Sequence, residues 1–212
     1  MRLAVLFLLS AISLCAQPFS FGIKGGVPLS DSLNTSQSFP FTFSSANNRY
    51  ILGPMVELRL PFGFGVELDA LYRRVNYNGS TFGVDVSTNS RTTGNAWEFP
   101  LLAKYRFPSK IVRPYVEAGI AWDTLSGLVQ TTTSFIASGG ITTTNRTSNP
   151  PELHHSSTSG FVMGAGIDIH AIFIHVSPEL RYTRWGAQHF FSPNGGLQSS
   201  QNQAEFLIGL TF

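Results

Sequence analysis

His175, Ser177 and Glu179 occupy alternate positions of the segment FIHVSPELRY, a spacing that puts a base, a hydroxyl and a carboxylate on one face of an extended chain. The chemistry such a set could perform is acyl transfer, with Ser177 as nucleophile. A carboxylate that orients the base must stand behind it, however, and Glu179 lies beyond Ser177. Catalysis is therefore not expected. Glu152, His154 and His155 could be read as metal ligands, but adjacent histidines point in opposite directions along a strand, and the segment offers no further ligand at a useful spacing. They are expected to be solvated. His170 and His189 stand alone and read as turn and loop residues. There is no phosphate-binding glycine loop, zinc spacing or nucleotide fingerprint, so no cofactor or metal is expected.

The remaining reactive side chains are charges, and their placement follows a rule. Eight short blocks alternate apolar and polar residues with period two: 19–29, 51–60, 64–73, 97–107, 114–123, 160–168, 173–182 and 203–212. All fifteen charges in these blocks, nine acidic and six basic, fall on the face opposite the apolar set. From them a polar network is expected at Lys24, Glu57, Arg59, Glu67, Asp69, Arg73, Glu98, Lys104, Arg106, Glu117, Glu179, Arg181 and Glu205. Arg74 and Arg184 break phase, each two residues beyond a tyrosine of the apolar face.

Only 12% of the 212 residues are charged, about half the fraction of roughly 25% usual in soluble domains, while 42% are apolar. After residue 16 no apolar run approaches the roughly 20 residues that a spanning helix needs. The first 16 residues, with Arg2, the apolar run Leu3 to Leu9 and small Ala16, read as a secretory signal peptide, leaving 17–212 as one domain. Cys15, the only cysteine, would leave with the signal. Leu14 is too bulky to precede an acylated cysteine. A net charge near zero after cleavage gives no reason to expect a nucleic-acid partner.

The connections alternate too. Long polar links at Ser30–Asn48, Asn78–Thr93, Thr124–Thr158 and Gly186–Asn202 exchange with short turns at Pro61–Gly63, Pro108–Arg113 and His170–Ile172. An even strand number with alternating long and short links predicts an all-β, eight-stranded, antiparallel, up-and-down barrel, its four long loops extracellular and its three short turns periplasmic. In the longest link, TTTSFIASGGITTT permits either a hairpin turning at Gly139 and Gly140 or a disordered threonine-rich loop. Asn34 and Asn145 match glycosylation acceptors only incidentally.

A soluble barrel with an apolar lumen would show the same alternation with its faces exchanged. Three features favour the membrane. Phe64 and Tyr72, and Trp97 and Tyr105, bracket the apolar face at eight-residue intervals, roughly 20 Å on a tilted strand; Trp122 and Tyr182 complete the expected aromatic girdle. Glycine is frequent on the polar face, as a crowded interior requires. The chain ends at Phe212 in phase with the apolar set.

The segments GVELDALYRR, WEFPLLAKYRF, RPYVEAGIAW, GFVMGAGIDI and SPELRYTRW resemble successive hairpins of the small outer-membrane β-barrel domain family of Gram-negative bacteria, a group that includes PorT-like proteins and is similar in shape to OmpA, OmpX and OmpW. The resemblance implies residence in outer-membrane lipid and makes Phe206, Ile208, Leu210 and Phe212 the signal read by the barrel-assembly machinery. It specifies architecture and no activity. The expected role is that of a filled barrel that is structural or presents Thr124–Thr158 to an extracellular partner; the alternatives are porin-like passage of small solutes or lipid across the membrane and, more remotely, lipid modification.

Overall fold

The computed structural model describes residues 19–109, 111–171, 174–192 and 196–212; residues 1–18, with the expected signal peptide and Cys15, lie outside them. Eight strands form the wall of a barrel: β1 (Phe19–Pro28), β2 (Ile51–Arg59), β3 (Phe64–Asp69 continuing as Leu71–Phe82), β4 (Val86–Arg106), β5 (Val112–Ile136), β6 (Ser157–Ala171), β7 (Ile174–Trp185) and β8 (Asn202–Thr211). Each pairs antiparallel with its sequence neighbours, and β8 returns to β1 through the register Gly22↔Thr211 to Pro28↔Glu205. Closure leaves the ring without a free edge. The interruption of β3 at Ala70 has a covalent cause. Ala70 donates its N–H to the Pro54 carbonyl, 3.0 Å away, and proline has no N–H to return.

Exposure decides between the two kinds of barrel. Phe21, Ile23, Leu68, Ile120, Phe161 and Leu180 stand on the outer surface, while Lys24, Glu67, Lys104, Glu179 and Arg181 are almost wholly buried. Apolar outside and charged inside is the arrangement for lipid. The aromatic intervals are realised as cross-strand pairs. Phe64 lies opposite Tyr105 with ring centroids 5.0 Å apart at one end, and Tyr72 opposite Trp97 at 5.2 Å at the other. Trp122 and Tyr182 face outward at the Tyr72 end.

The long links depart from the expectation of polar loops. β4 has 21 residues and β5 has 25, so both run far beyond the level of the Tyr72–Trp97 pair. An arm at Ile141–Thr147 pairs with β5 and the upper part of β3 with β4; the short strand Phe41–Ser45 adds to β3, and Gln37–Ser38 adds to that strand in turn. Together they raise a six-stranded wall on one side of the outer mouth. The arm is the hairpin alternative, turning through Gly140 at φ 62° and pairing Ile141 with Ile136 through to Thr147 with Gln130. Its four threonines and Ile141, all β-branched, fit a pleated surface.

A bulge makes the wall's inner face apolar. Between Thr93 and Asn95 the β4–β5 register slips by one residue, opposite Gly127 at φ 59°. Inward residues of β5 are odd-numbered below it (Tyr115, Glu117, Ala121, Asp123, Leu125) and even-numbered above it (Leu128, Gln130). Leu128 thereby joins Val75, Tyr77, Ala96 and Leu125, and the segments 30–48, 186–192 and 196–201 fold over them as a cap, with Leu33, Phe43, Phe190 and Leu197. Phe190 meets Tyr77 edge-on at 5.2 Å. The outer mouth is thus closed by a small apolar core.

Candidate functional site

The lumen holds three tiers of charge. Strand phase turns every second side chain of all eight strands inward, and glycines at the same phase let the rest fit. A Cβ on Gly166, for example, would fall 2.6 Å from the Tyr115 ring. Burial of so many charges is tolerable only with close opposite partners.

The middle tier gathers around Arg181, whose Nη2 lies 2.8 Å from Glu179, 3.0 Å from Asp69, 3.3 Å from Glu117 and 3.5 Å from Glu67. Lys24 reaches Glu67 at 2.5 Å, Glu179 at 3.0 Å and Asp69 at 3.3 Å, and Lys104 reaches Glu67 at 2.5 Å and Glu117 at 3.2 Å. Tyr115 donates its hydroxyl to Glu179 at 2.7 Å, with the Lys104 ammonium over its ring. Glu67, Glu117 and Glu179 come close enough together to suggest a metal site. The two lysines and Arg181 already supply the positive charge there.

Towards the short turns, Arg106 binds Glu57 and donates Nε–H to Asp168 at 3.0 Å, while Arg59 lies 3.6 Å from Glu57. Towards the outer mouth, Arg73 binds Asp123 at 2.6 Å and Gln203 at 2.6 Å and approaches Glu205 at 3.6 Å. Glu98 is buried beside this group. Of the thirteen residues expected in the network, all but the partly exposed Arg59 are buried, and most lie within reach of an opposite charge.

Besides Gln203, other participants were not among those thirteen. Asp123, Asp168 and Tyr115 sit in the inward phase, which is the signal that marks them. His189, read as a solitary loop residue, is buried with Nε2 3.3 Å from Asp123 and Nδ1 2.7 Å from the His155 carbonyl oxygen. Glu152, read as solvated, accepts from the Tyr77 hydroxyl at 3.3 Å and from Gln130 at 3.1 Å beneath the cap. Loop closure over the mouth brings these together, and no local pattern announces it. Burial pushes the Tyr77 phenol above its ordinary range.

His170 also has a partner, since its Nδ1 lies 3.0 Å from His175 Nε2. A carboxylate does stand behind His175, contrary to the reading from Glu179: Asp168 Oδ1 is 3.1 Å from its Nδ1. The hairpin β6–β7 supplies it across strands. The Nε2 that a catalytic base would turn towards Ser177 faces His170 and Arg59 instead.

A model of the outer membrane protein beta-barrel domain matches residues 15–191. Among solved structures the chain is similar to OprG of Pseudomonas aeruginosa (13% identity, TM-score 0.48, covering 91% of this chain and 92% of that one). It is also similar to the neisserial surface protein NspA (12%, 0.45, covering 92% and 96%) and to the barrel domain of Pseudomonas aeruginosa OprF (18%, 0.38, covering 92% and 98%). No curated protein matches it.

Proposed function

Because the chain belongs to the outer membrane protein beta-barrel domain family and resides in the bacterial outer membrane, we propose that it is a filled membrane anchor whose one-sided wall binds an extracellular partner. The observation that carries this reading is the tip of the wall. Phe39, Phe82, Val84, Phe135 and Ile141 are all exposed there, beyond the girdle and out of reach of lipid. Clustered exposed apolar side chains mark interaction surfaces. The arm Ile141–Thr147 adds an edge, exposed along most of its length and paired on one side only, to which an extended segment of a partner can add as a further strand.

Surface display tests this directly. Cells carrying the full chain are compared with cells carrying a chain lacking residues 132–145, for adhesion to one another and to immobilised extracellular proteins. Adhesion lost with the barrel still shifting mobility on heating supports the reading; adhesion unchanged by the deletion overturns it. The charge-packed lumen speaks for anchoring over passage of solutes. The outward Phe206, Ile208, Leu210 and Phe212 would serve as the signal for barrel assembly, and Phe212→Ala should lower the fraction of folded protein in outer-membrane fractions.

A further inference from the structure

We propose that the inner rim of the barrel carries a divalent transition-metal site formed by His170 and His175. The two residues face each other across the β6–β7 hairpin as a directly paired position, so one ladder holds both imidazoles. Their nearest nitrogens, His170 Nδ1 and His175 Nε2, are 3.0 Å apart, with ring centroids at 4.5 Å. Two imidazole nitrogens on a tetrahedral ion, each at about 2.0–2.1 Å, stand roughly 3.3 Å from one another. A shift of a few tenths of an ångström admits the ion.

The surroundings prepare His175 as a ligand. Arg106 holds the other oxygen of Asp168 at 3.0 Å and keeps that carboxylate ionised and acceptor-only. Nδ1 of His175 must then carry the proton that Asp168 accepts, which leaves a lone pair on Nε2. A carboxylate behind a ligating histidine fixes the tautomer and raises the basicity of the ligand nitrogen. His170 is exposed, so the remaining coordination positions open to water. Imidazole donors select zinc, copper or nickel over calcium and magnesium, which prefer oxygen.

One group opposes the ion. Arg59 Nη1 lies 3.5 Å from His175 Nε2, and its charge would repel a cation there. Its guanidinium is partly exposed and already lies 3.6 Å from Glu57, so it can turn to that carboxylate when the ion enters. Arg59 therefore sets a ceiling on affinity, and its removal should raise it.

Calorimetric titration of the refolded full chain in detergent micelles with ZnCl2 tests the site. One equivalent should bind, and His170→Ala and His175→Ala should each weaken it by about tenfold or more. Arg59→Ala should tighten it. The double variant His154→Ala/His155→Ala, at the opposite end of the barrel, should leave it unchanged. Each variant is first shown to fold by its heat-dependent gel mobility. Absence of zinc binding by the native chain, or binding that survives both single alanine variants at rim positions 170 and 175, overturns the proposal.

Discussion

Arg181 shows what one side chain does in this interior. It is fully buried and shared by four carboxylates. Its removal strands negative charge in a space that water cannot easily enter, whereas a substitution that keeps the charge keeps the attraction. Arg181→Met should destabilise the barrel by about 3–5 kcal/mol, the range for breaking a buried ion pair from one side. Arg181→Lys should cost less, because only the forked geometry is lost. Urea unfolding in detergent, followed by the heat-dependent mobility shift, measures both; equal stability of Arg181→Met and the native chain would contradict the shared-cation account. The inward direction of Arg181 is legible in the sequence, since phase alone separates it from Leu180 and Tyr182. Its partners are not legible. Glu67 and Glu117 lie on other strands, and which of the inward acids meet it depends on registers fixed by the whole ring.

Among the elements, β5 teaches most about where the reading of period two stops. From Tyr115 to Leu125 its alternation is regular, and the bulge at Gly127 then exchanges the faces. Deleting Gly127 alone should restore an unbroken alternation with Leu128 and Gln130 still inward, whereas deleting Ser126 together with Gly127 should turn both outward. A cysteine introduced as Gln130→Cys should resist a membrane-impermeant maleimide in the native background and in the single deletion, and react rapidly in the double deletion. The cap offers a second test. Phe190→Ala removes the ring packed on Tyr77 and should cost about 3–5 kcal/mol locally. Protease nicking within 186–201 should increase while the barrel band keeps its heat-dependent shift; loss of that shift would mean that the cap is part of the barrel's own stability. The cap was hidden from the sequence because Leu33, the Phe190–Phe191 pair and Leu197 are scattered apolar residues in polar links, without periodicity to mark them.

Over the molecule as a whole, the scarcity of charge and the abundance of apolar surface become one arrangement: nine of twelve acidic residues are placed on inward strand phases, and the outer band is left to lipid. Tiers of paired charge below and an apolar core above close the passage twice. Planar-bilayer recording of the purified protein should therefore give no steady ohmic steps, and ion-selective steps of fixed conductance would contradict a filled lumen. The wall, finally, gives the molecule height. From Trp122, opposite Phe99, to Ile136 at the tip, β5 climbs fourteen residues, roughly 35 Å on a strand tilted near 40°. The β7–β8 side has only the folded-over cap above its rim. A particle or antibody too bulky to touch the lipid headgroups still meets the apolar tip, and meets it from one direction only, so the protein behaves towards its surroundings as a mast with a fixed heading.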